Sequence, residues 1–84
     1  MKLKVFTKED CPNCPAAKKI AKKLEVNGSK VEWFDLDNEE GLSEAVFFDV
    51  LSTPSLIITD EDDEEIRAWR GEVPGIDELQ KELK

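Results

Sequence analysis

In the stretch TKEDCPNCPAAKK, residues Thr7 to Lys19, the chain's only two cysteines, Cys11 and Cys14, stand two residues apart. A pair at that spacing can ligate a metal, staple a loop or exchange electrons with another disulfide. A structural zinc site takes about four nitrogen or sulfur ligands. With no histidine and no third cysteine, one copy of the chain completes such a site only by adding carboxylates. Two copies would offer four thiolates for zinc or an iron–sulfur cluster, and that dimeric metal-binding alternative stays open. As a staple the pair closes too short a loop to constrain much of an unfolded chain. The missing histidine also removes the usual base of a cysteine hydrolase. Dithiol–disulfide exchange needs only two sulfurs and a thiolate, which this chain has.

Exchange runs through the thiolate, so the surroundings of the sulfurs matter. A helix opening at the pair would aim unpaired N–H groups and the positive end of its dipole at Cys11. Pro12 suits the opening turn of such a helix. Thiols so placed in Cys-x-x-Cys pairs have pKa values lowered from about 8.5 to roughly 3.5–7.5. Cys11 is therefore the expected nucleophile. Cys14, one helical turn further on and more buried, is placed to attack a mixed disulfide formed at Cys11. Lys8 adds favourable charge near Cys11, whereas Glu9 and Asp10 oppose the thiolate.

The elements that must position the pair are legible as periodicities. Leu3 and Val5 alternate with Lys2 and Lys4, which predicts a strand over residues 2–7. Ala17, Ile20, Ala21 and Leu24 recur at helical spacing, with Lys18, Lys19, Lys22 and Lys23 on the other face and Asn27-Gly28 as a stop, so a helix is expected over 12–26. Lys30 to Leu36 reads as a strand. Glu39 to Val50 reads as a helix whose buried stripe includes Leu42, Ala45 and Val46. Pro54 to Thr59 and Glu65 to Arg70 form a hairpin around the acidic turn at Asp60–Glu65, and Ile76, Leu79 and Leu83 mark a closing helix. The order β-α-β-α-β-β-α calls for a right-handed parallel crossover first and an antiparallel pair later. The expected architecture is α/β: a four-stranded mixed sheet in order 2-1-3-4 with helices on both faces.

At 84 residues the expectation is one domain, 1–84, with one site. No apolar run approaches the roughly 20 residues of a membrane span, and the N-terminus lacks a signal-peptide core; a cytoplasmic protein with no membrane partner is expected. The net charge of −8 argues against a nucleic-acid partner. That charge is unevenly spread: residues 1–30 hold eight lysines against three carboxylates, net +5, which leaves −13 for the rest. The lysine-rich segment either steers an acidic partner or is a solvated helix face. Trp33 and Trp69 read as sheet packing. The acidic turn lacks the ligand spacing and central glycine of a calcium loop and reads as a solvated turn.

CPNC between a strand and a helix, with STPS ahead of a later strand, resembles the thioredoxin and glutaredoxin superfamily over nearly the whole chain. The resemblance implies a thioredoxin fold in which Pro54 is a cis-proline facing the disulfide and the Thr53 backbone pairs with an extended substrate; an edge-strand proline is the alternative. Lys8, three residues before Cys11, is similar to the glutaredoxin lysine that meets a glutathione carboxylate. Asn13, however, stands where glutaredoxins usually carry tyrosine or phenylalanine, and Gly71 in WRGEVP stands alone where they have a paired-glycine turn. The GE of that segment looks like thioredoxin, although Asp10 replaces the thioredoxin tryptophan before the first cysteine and Val5 its buried carboxylate. The closest likeness is to the short, glutaredoxin-sized thioredoxins of archaea and anaerobic bacteria. It implies a monomeric thiol–disulfide oxidoreductase without a cofactor, reducing protein disulfides through Cys11 and Cys14 and recharged by an upstream reductase. Lys8, Pro12, Asn13, Thr53, Pro54 and Gly71 would contact the substrate. A glutathione-dependent glutaredoxin is the alternative within the same chemistry.

Overall fold

The computed structural model describes residues 1–83. Its first strand, β1 (Lys2–Thr7), is an inner strand of a four-stranded sheet ordered β2-β1-β3-β4. β2 (Lys30–Asp35) pairs with β1 in parallel, from Lys2 opposite Lys30 to Thr7 opposite Asp35. β3 (Ser55–Thr59) pairs with β1 antiparallel, Phe6 opposite Ser55, and β4 (Glu65–Arg70) is antiparallel to β3. Parallel pairing demands a crossover, which α1 (Cys14–Val26) supplies. α2 (Glu39–Phe47) joins β2 to β3, and α3 (Ile76–Glu82) follows β4. Topology and element order agree with the sequence reading. Two boundaries move by one residue: β2 stops at Asp35 instead of Leu36, and β3 starts at Ser55 instead of Pro54.

An apolar cluster lies on each face of the sheet. On one, Leu3, Val5, Leu56, Ile58 and Trp69 pack with Ala17, Ala21 and Leu24 of α1 and Leu79 of α3. On the other, Phe6 and Ile57 pack with Ala45, Phe48 and Val50, and the Phe6 and Phe34 rings stack at 5.1 Å. Trp69 is buried, as the packing reading requires, and donates Nε1–H to Glu78. Trp33 departs from that reading. It lies 41% exposed on the edge strand β2, its indole N–H on Glu25.

α2 corrects the sequence reading in two ways. Its buried side is Gly41 and Ala45, continued by Phe48, whereas Leu42 and Val46 face solvent. The cause is a close approach: a Cβ on Gly41 would lie 2.0 Å from the Asp35 carbonyl oxygen, so only glycine lets the helix settle against the end of β2. The helix also ends at Phe47 and not at Val50. The Asp49 N–H bonds to Val46 O and the Val50 N–H to Ala45 O, with Asp49 at φ 59°. This is a Schellman stop with aspartate where glycine is usual. At the other end the Asn38 side chain accepts from the Glu40 and Gly41 N–H groups, an N-cap.

Lys4, which alternates with Leu3 and Val5 along the strand, is 2% exposed. β1 is covered on both sides, so strict alternation does not put its polar residues in water. The Lys4 Nζ lies 5.1 Å and 5.4 Å from the Phe34 and Phe48 rings. It reaches Glu32 at 2.6 Å, Asp63 at 3.4 Å and Glu44 at 3.5 Å. Burial disfavours the ammonium, but the hydrogen bond to Glu32 and the surrounding carboxylates outweigh it and raise the Lys4 pKa above its usual value. The acidic turn is correspondingly pinned and not merely solvated: Asp63 also pairs with Lys2, and Glu61 with the N-terminus at 2.9 Å.

Lys4→Met keeps the apolar stem and loses the charge, and is expected to change stability by less than about 1.5 kcal/mol. Lys4→Ala also empties the space between the two rings and is expected to cost about 2–4 kcal/mol. Urea unfolding distinguishes them. The Asp63 pKa is lowered, chiefly by the Lys2 hydrogen bond, so its stabilisation is complete above the usual carboxylate range and lost as pH falls through its depressed value. The Lys4 contribution is complete below the usual lysine value and lost as pH rises past its raised one. The methionine variant should show a smaller stability change at both extremes.

Candidate active site

β1 ends at Thr7, and residues 8–13 carry the chain to α1. This loop is tied to the β2–α2 turn, with the Leu36 N–H on Thr7 O and the Glu9 N–H on Asp37 Oδ2, both at 2.8 Å. Asp10 takes a φ of 56°, left-handed backbone that aspartate tolerates better than most residues. The Cys14 N–H then returns to Cys11 O at 3.3 Å, closing a turn of its own, and the first helical bond runs from the Ala17 N–H to Asn13 O. α1 therefore opens at Cys14 with Asn13 as its N-cap, not at Pro12. Pro15 is the proline in the opening turn, where a missing N–H leaves no bond unmade. Cys11 sits ahead of the helix terminus and not within it. With Pro12 and Pro15 lacking amide hydrogens, the unpaired N–H groups around the cysteines among the described residues are those of Asp10, Cys11, Asn13 and Ala16.

Cys11 and Cys14 are joined as a disulfide, their Cα atoms 5.3 Å apart. Cys14 is 2% exposed and Cys11 9%, so Cys11 is the more reachable of the two. Val5 lies wholly inside the core, and the charged residue buried among the described residues is Lys4, whose side chain serves the opposite face of the sheet.

Antiparallel pairing brings two further connections to this end of the sheet. Ser55 opens β3 opposite Phe6, and Arg70 closes β4 opposite Ser55, which delivers Thr53, Pro54 and Gly71 beside the end of β1. The Thr53–Pro54 peptide bond is cis. Pro54 is buried and Thr53 half-buried. Neither the N–H nor the C=O of Thr53 is hydrogen-bonded among the described residues. The Gly71 N–H donates to Pro54 O at 3.0 Å and to Ser55 Oγ at 3.2 Å, while Ser55 Oγ–H donates to Ser52 O at 2.7 Å. Gly71 has a φ of 76°, and a Cβ there would lie 2.7 Å from Ser52 Oγ. Lys8, Pro12 and Asn13 are exposed in the cysteine loop. Lys8, Cys11, Pro12, Asn13, Thr53, Pro54 and Gly71 thus lie in connections at one end of the sheet, where Cys14 opens α1. Ser52 and Ser55 were missed as structural partners, although both stand within STPS. Among the described residues no group of three or more Cys, Asp or Glu side chains converges as a metal site.

A family model described as "Thioredoxin domain" matches residues 1–84. The chain belongs to the thioredoxin-domain family. A probable thioredoxin of Archaeoglobus fulgidus is 36% identical over 59 residues, covering 69% of this chain and 65% of that protein. The chain thus spans just under two thirds of the length of the curated relative it matches. Thioredoxin 1 from the thermophilic eubacterium Thermosipho africanus superposes with a TM-score of 0.68 at 26% identity, covering 96% of this chain and 88% of that one. The reduced thioredoxin pre-protein of Schistosoma mansoni gives a TM-score of 0.77 over 98% of this chain and 74% of that one; at 15% identity it speaks for the fold alone. Membership of the thioredoxin-domain family agrees with the superfamily recognised in the sequence.

Gly71→Ala should test how tightly the three connections are held. The left-handed backbone and the Ser52 contact together predict a loss of about 1–2 kcal/mol in chemical unfolding of the oxidised protein. Adding Ser52→Ala should recover the steric part and leave the backbone part.

Proposed function

We propose that the chain is a thiol–disulfide oxidoreductase that reduces protein disulfides, and the observation that carries this is the bridge between its only two cysteines at the end of β1. The family match and the probable archaeal thioredoxin support the same reading. In the dithiol state the Cys11 thiolate attacks one sulfur of the substrate disulfide, forming a mixed disulfide and releasing one substrate thiolate. The Cys14 thiolate then attacks Cys11 Sγ, closing the protein bridge and releasing the second. Two electrons pass to the substrate, and an external dithiol reductase restores the dithiol form. The greater exposure of Cys11 supports its role as the attacking residue. With Val5 in place of a carboxylate, the Cys14 proton leaves to water or to Lys8. The unpaired Thr53 backbone offers a donor and an acceptor to an extended substrate segment, beside Pro54 and Gly71. Lys8, Pro12 and Asn13 flank the same approach. The proposed setting is a monomer in a reducing cytoplasm, where an exchanging cysteine pair has more use than a structural one.

Insulin reduction measures the activity directly. Cys11→Ser is expected to abolish it, and unchanged turnover in that variant would overturn the assignment. Cys14→Ser should accumulate a mixed disulfide with substrate, visible by non-reducing electrophoresis. Stoichiometric zinc or iron in anaerobically purified protein would instead favour the dimeric four-thiolate reading.

Thioredoxin-like and glutaredoxin-like work are separated by potential, about −270 mV against about −200 to −230 mV. Asn13, the single Gly71 and the exposed carboxylates of Glu9 and Asp10 beside Cys11 support the thioredoxin end. Titration against redox buffers should therefore place the pair near −270 mV, with slow equilibration by glutathione. Rapid equilibration at the glutaredoxin end would shift the assignment to glutathione use, with Lys8 as its carboxylate partner.

A further inference from the structure

Among the described residues, most cations of this chain are ion-paired, whereas Lys8 in the cysteine loop, Lys81 on α3 and the lysines of α1 are largely not. At the end of the sheet away from the cysteines, the N-terminus, Lys2, Lys4 and Lys30 pair with Glu32, Glu44, Glu61 and Asp63. Arg67 and Arg70 pair with Glu78, Glu82 and Glu65. On α1 the pattern reverses. Lys18, Lys19 and Lys23 form no ion pair among the described residues, and Lys22 reaches only Glu25, at 3.4 Å in an exposed pair. Such a pair contributes little. All four lysines are exposed. Their spacing gathers them on one side of the helix, opposite the buried Ala17, Ala21 and Leu24. At about 1.5 Å per residue the strip begins roughly 6 Å along the axis from Cys14 and ends at roughly 14 Å. A protein of net charge −8 thus keeps an unneutralised cationic strip beside its disulfide.

We propose that the face formed by Lys18, Lys19, Lys22 and Lys23 is a docking surface for the protein that exchanges electrons with the Cys11–Cys14 pair, and that this partner presents an acidic strip to it. The inference rests on the disulfide-exchange reading and names the chemistry of its partner. An acidic surface is repelled by the remainder of the chain, which carries −13 beyond residue 30, and attracted to α1. The same charges therefore raise the encounter rate and orient the partner toward the end of the helix that holds the sulfurs. A nucleic acid fits less well. Its phosphates need an extended basic track, and here Glu25 stands against Lys22 in a chain of net charge −8.

The test uses two disulfide-bridged peptides of equal length, one flanked by glutamates and one by lysines, reduced by the dithiol protein at low and high salt. The glutamate peptide is expected to have a kcat/KM about tenfold higher at low ionic strength, with the preference disappearing near 1 M salt, where screening acts within about 3 Å. Lys18→Glu, Lys19→Glu, Lys22→Glu and Lys23→Glu together should reverse the preference. The corresponding four glutamine substitutions should erase it without introducing new charge. Reduction of uncharged hydroxyethyl disulfide should be the same in all three proteins, which reports on the chemistry and the fold. Equal rates for the two peptides, or a preference for the lysine peptide, would overturn the docking surface while the exchange reading stands. Failure of the unaltered protein to reduce any of the three disulfides would remove the exchange reading and the inference with it. Retention of duplex DNA by the unaltered protein, lost in the glutamate variant, would reassign the strip to nucleic acid.

Discussion

Strand β1 is hydrogen-bonded on both edges and covered on both faces, and the site depends on that position. Parallel pairing with β2 forces a crossover helix, which places the start of α1 at the end of β1. Antiparallel pairing with β3 brings the chain back so that the segment before β3 arrives at the same end. β4 then repeats the reversal and delivers Gly71. Three connections distant in sequence therefore meet because one strand has two neighbours of opposite sense. A slip of one residue in β1 would exchange Leu3 and Val5 for Lys4 and Phe6 on each face. Both apolar clusters and the Lys4 ion pairs would be lost together, so the register is strongly specified.

The two ends of the sheet carry different electrostatics, and Lys4 shows why. A lysine inside a strand is tolerated only where its ammonium finds carboxylates and its stem finds apolar surface. Glu32, Glu44 and Asp63 supply the carboxylates, and the faces of the Phe34 and Phe48 rings lie within cation–π reach of the same ammonium. The Asp63 pair anchors the acidic hairpin turn to β1, while Glu32 and Glu44 tie the same lysine to β2 and α2. At the other end the links are backbone hydrogen bonds and short serine contacts among Ser52, Pro54, Ser55 and Gly71. Such links hold the loops in place without putting an ion pair next to the sulfurs.

The element order, the sheet topology and the cysteine pair were legible in the sequence because each rests on a local pattern: periodicity, turn residues, or the scarcity of alternatives for two lone cysteines. What was not legible depends on contacts between distant residues. Alternation marks Lys4 as polar within the strand but gives no partners for a buried ammonium, and those come from β2, α2 and the hairpin turn. Ala45 is buried as its place in the stripe required, but Leu42 and Val46 are exposed and Gly41 is buried instead, because α2 approaches the end of β2 too closely for a side chain at that position. Pro12 and Pro15 are each compatible with a helix opening, so spacing could not say which one serves it. Ser55 gave no signal beyond its motif, since its partner Gly71 lies in another connection.

The placement of the helix start bears on how the redox pair can work. Had α1 begun at Pro12, the turn that holds Cys11 would be part of the helix, and opening the bridge would disturb the first helical turn. Instead the first helical bond, from the Ala17 N–H to Asn13 O, involves neither cysteine, and the turn between them is closed by a single backbone bond of 3.3 Å. Cys14 is fixed by the helix and the core, while Cys11 is held by the loop that Asp37 ties down through the Glu9 N–H. The sulfur–sulfur bond is thus not part of the hydrogen-bond ladder of α1. Of the two sulfur-bearing residues, the one on the loop side, Cys11, is the more exposed.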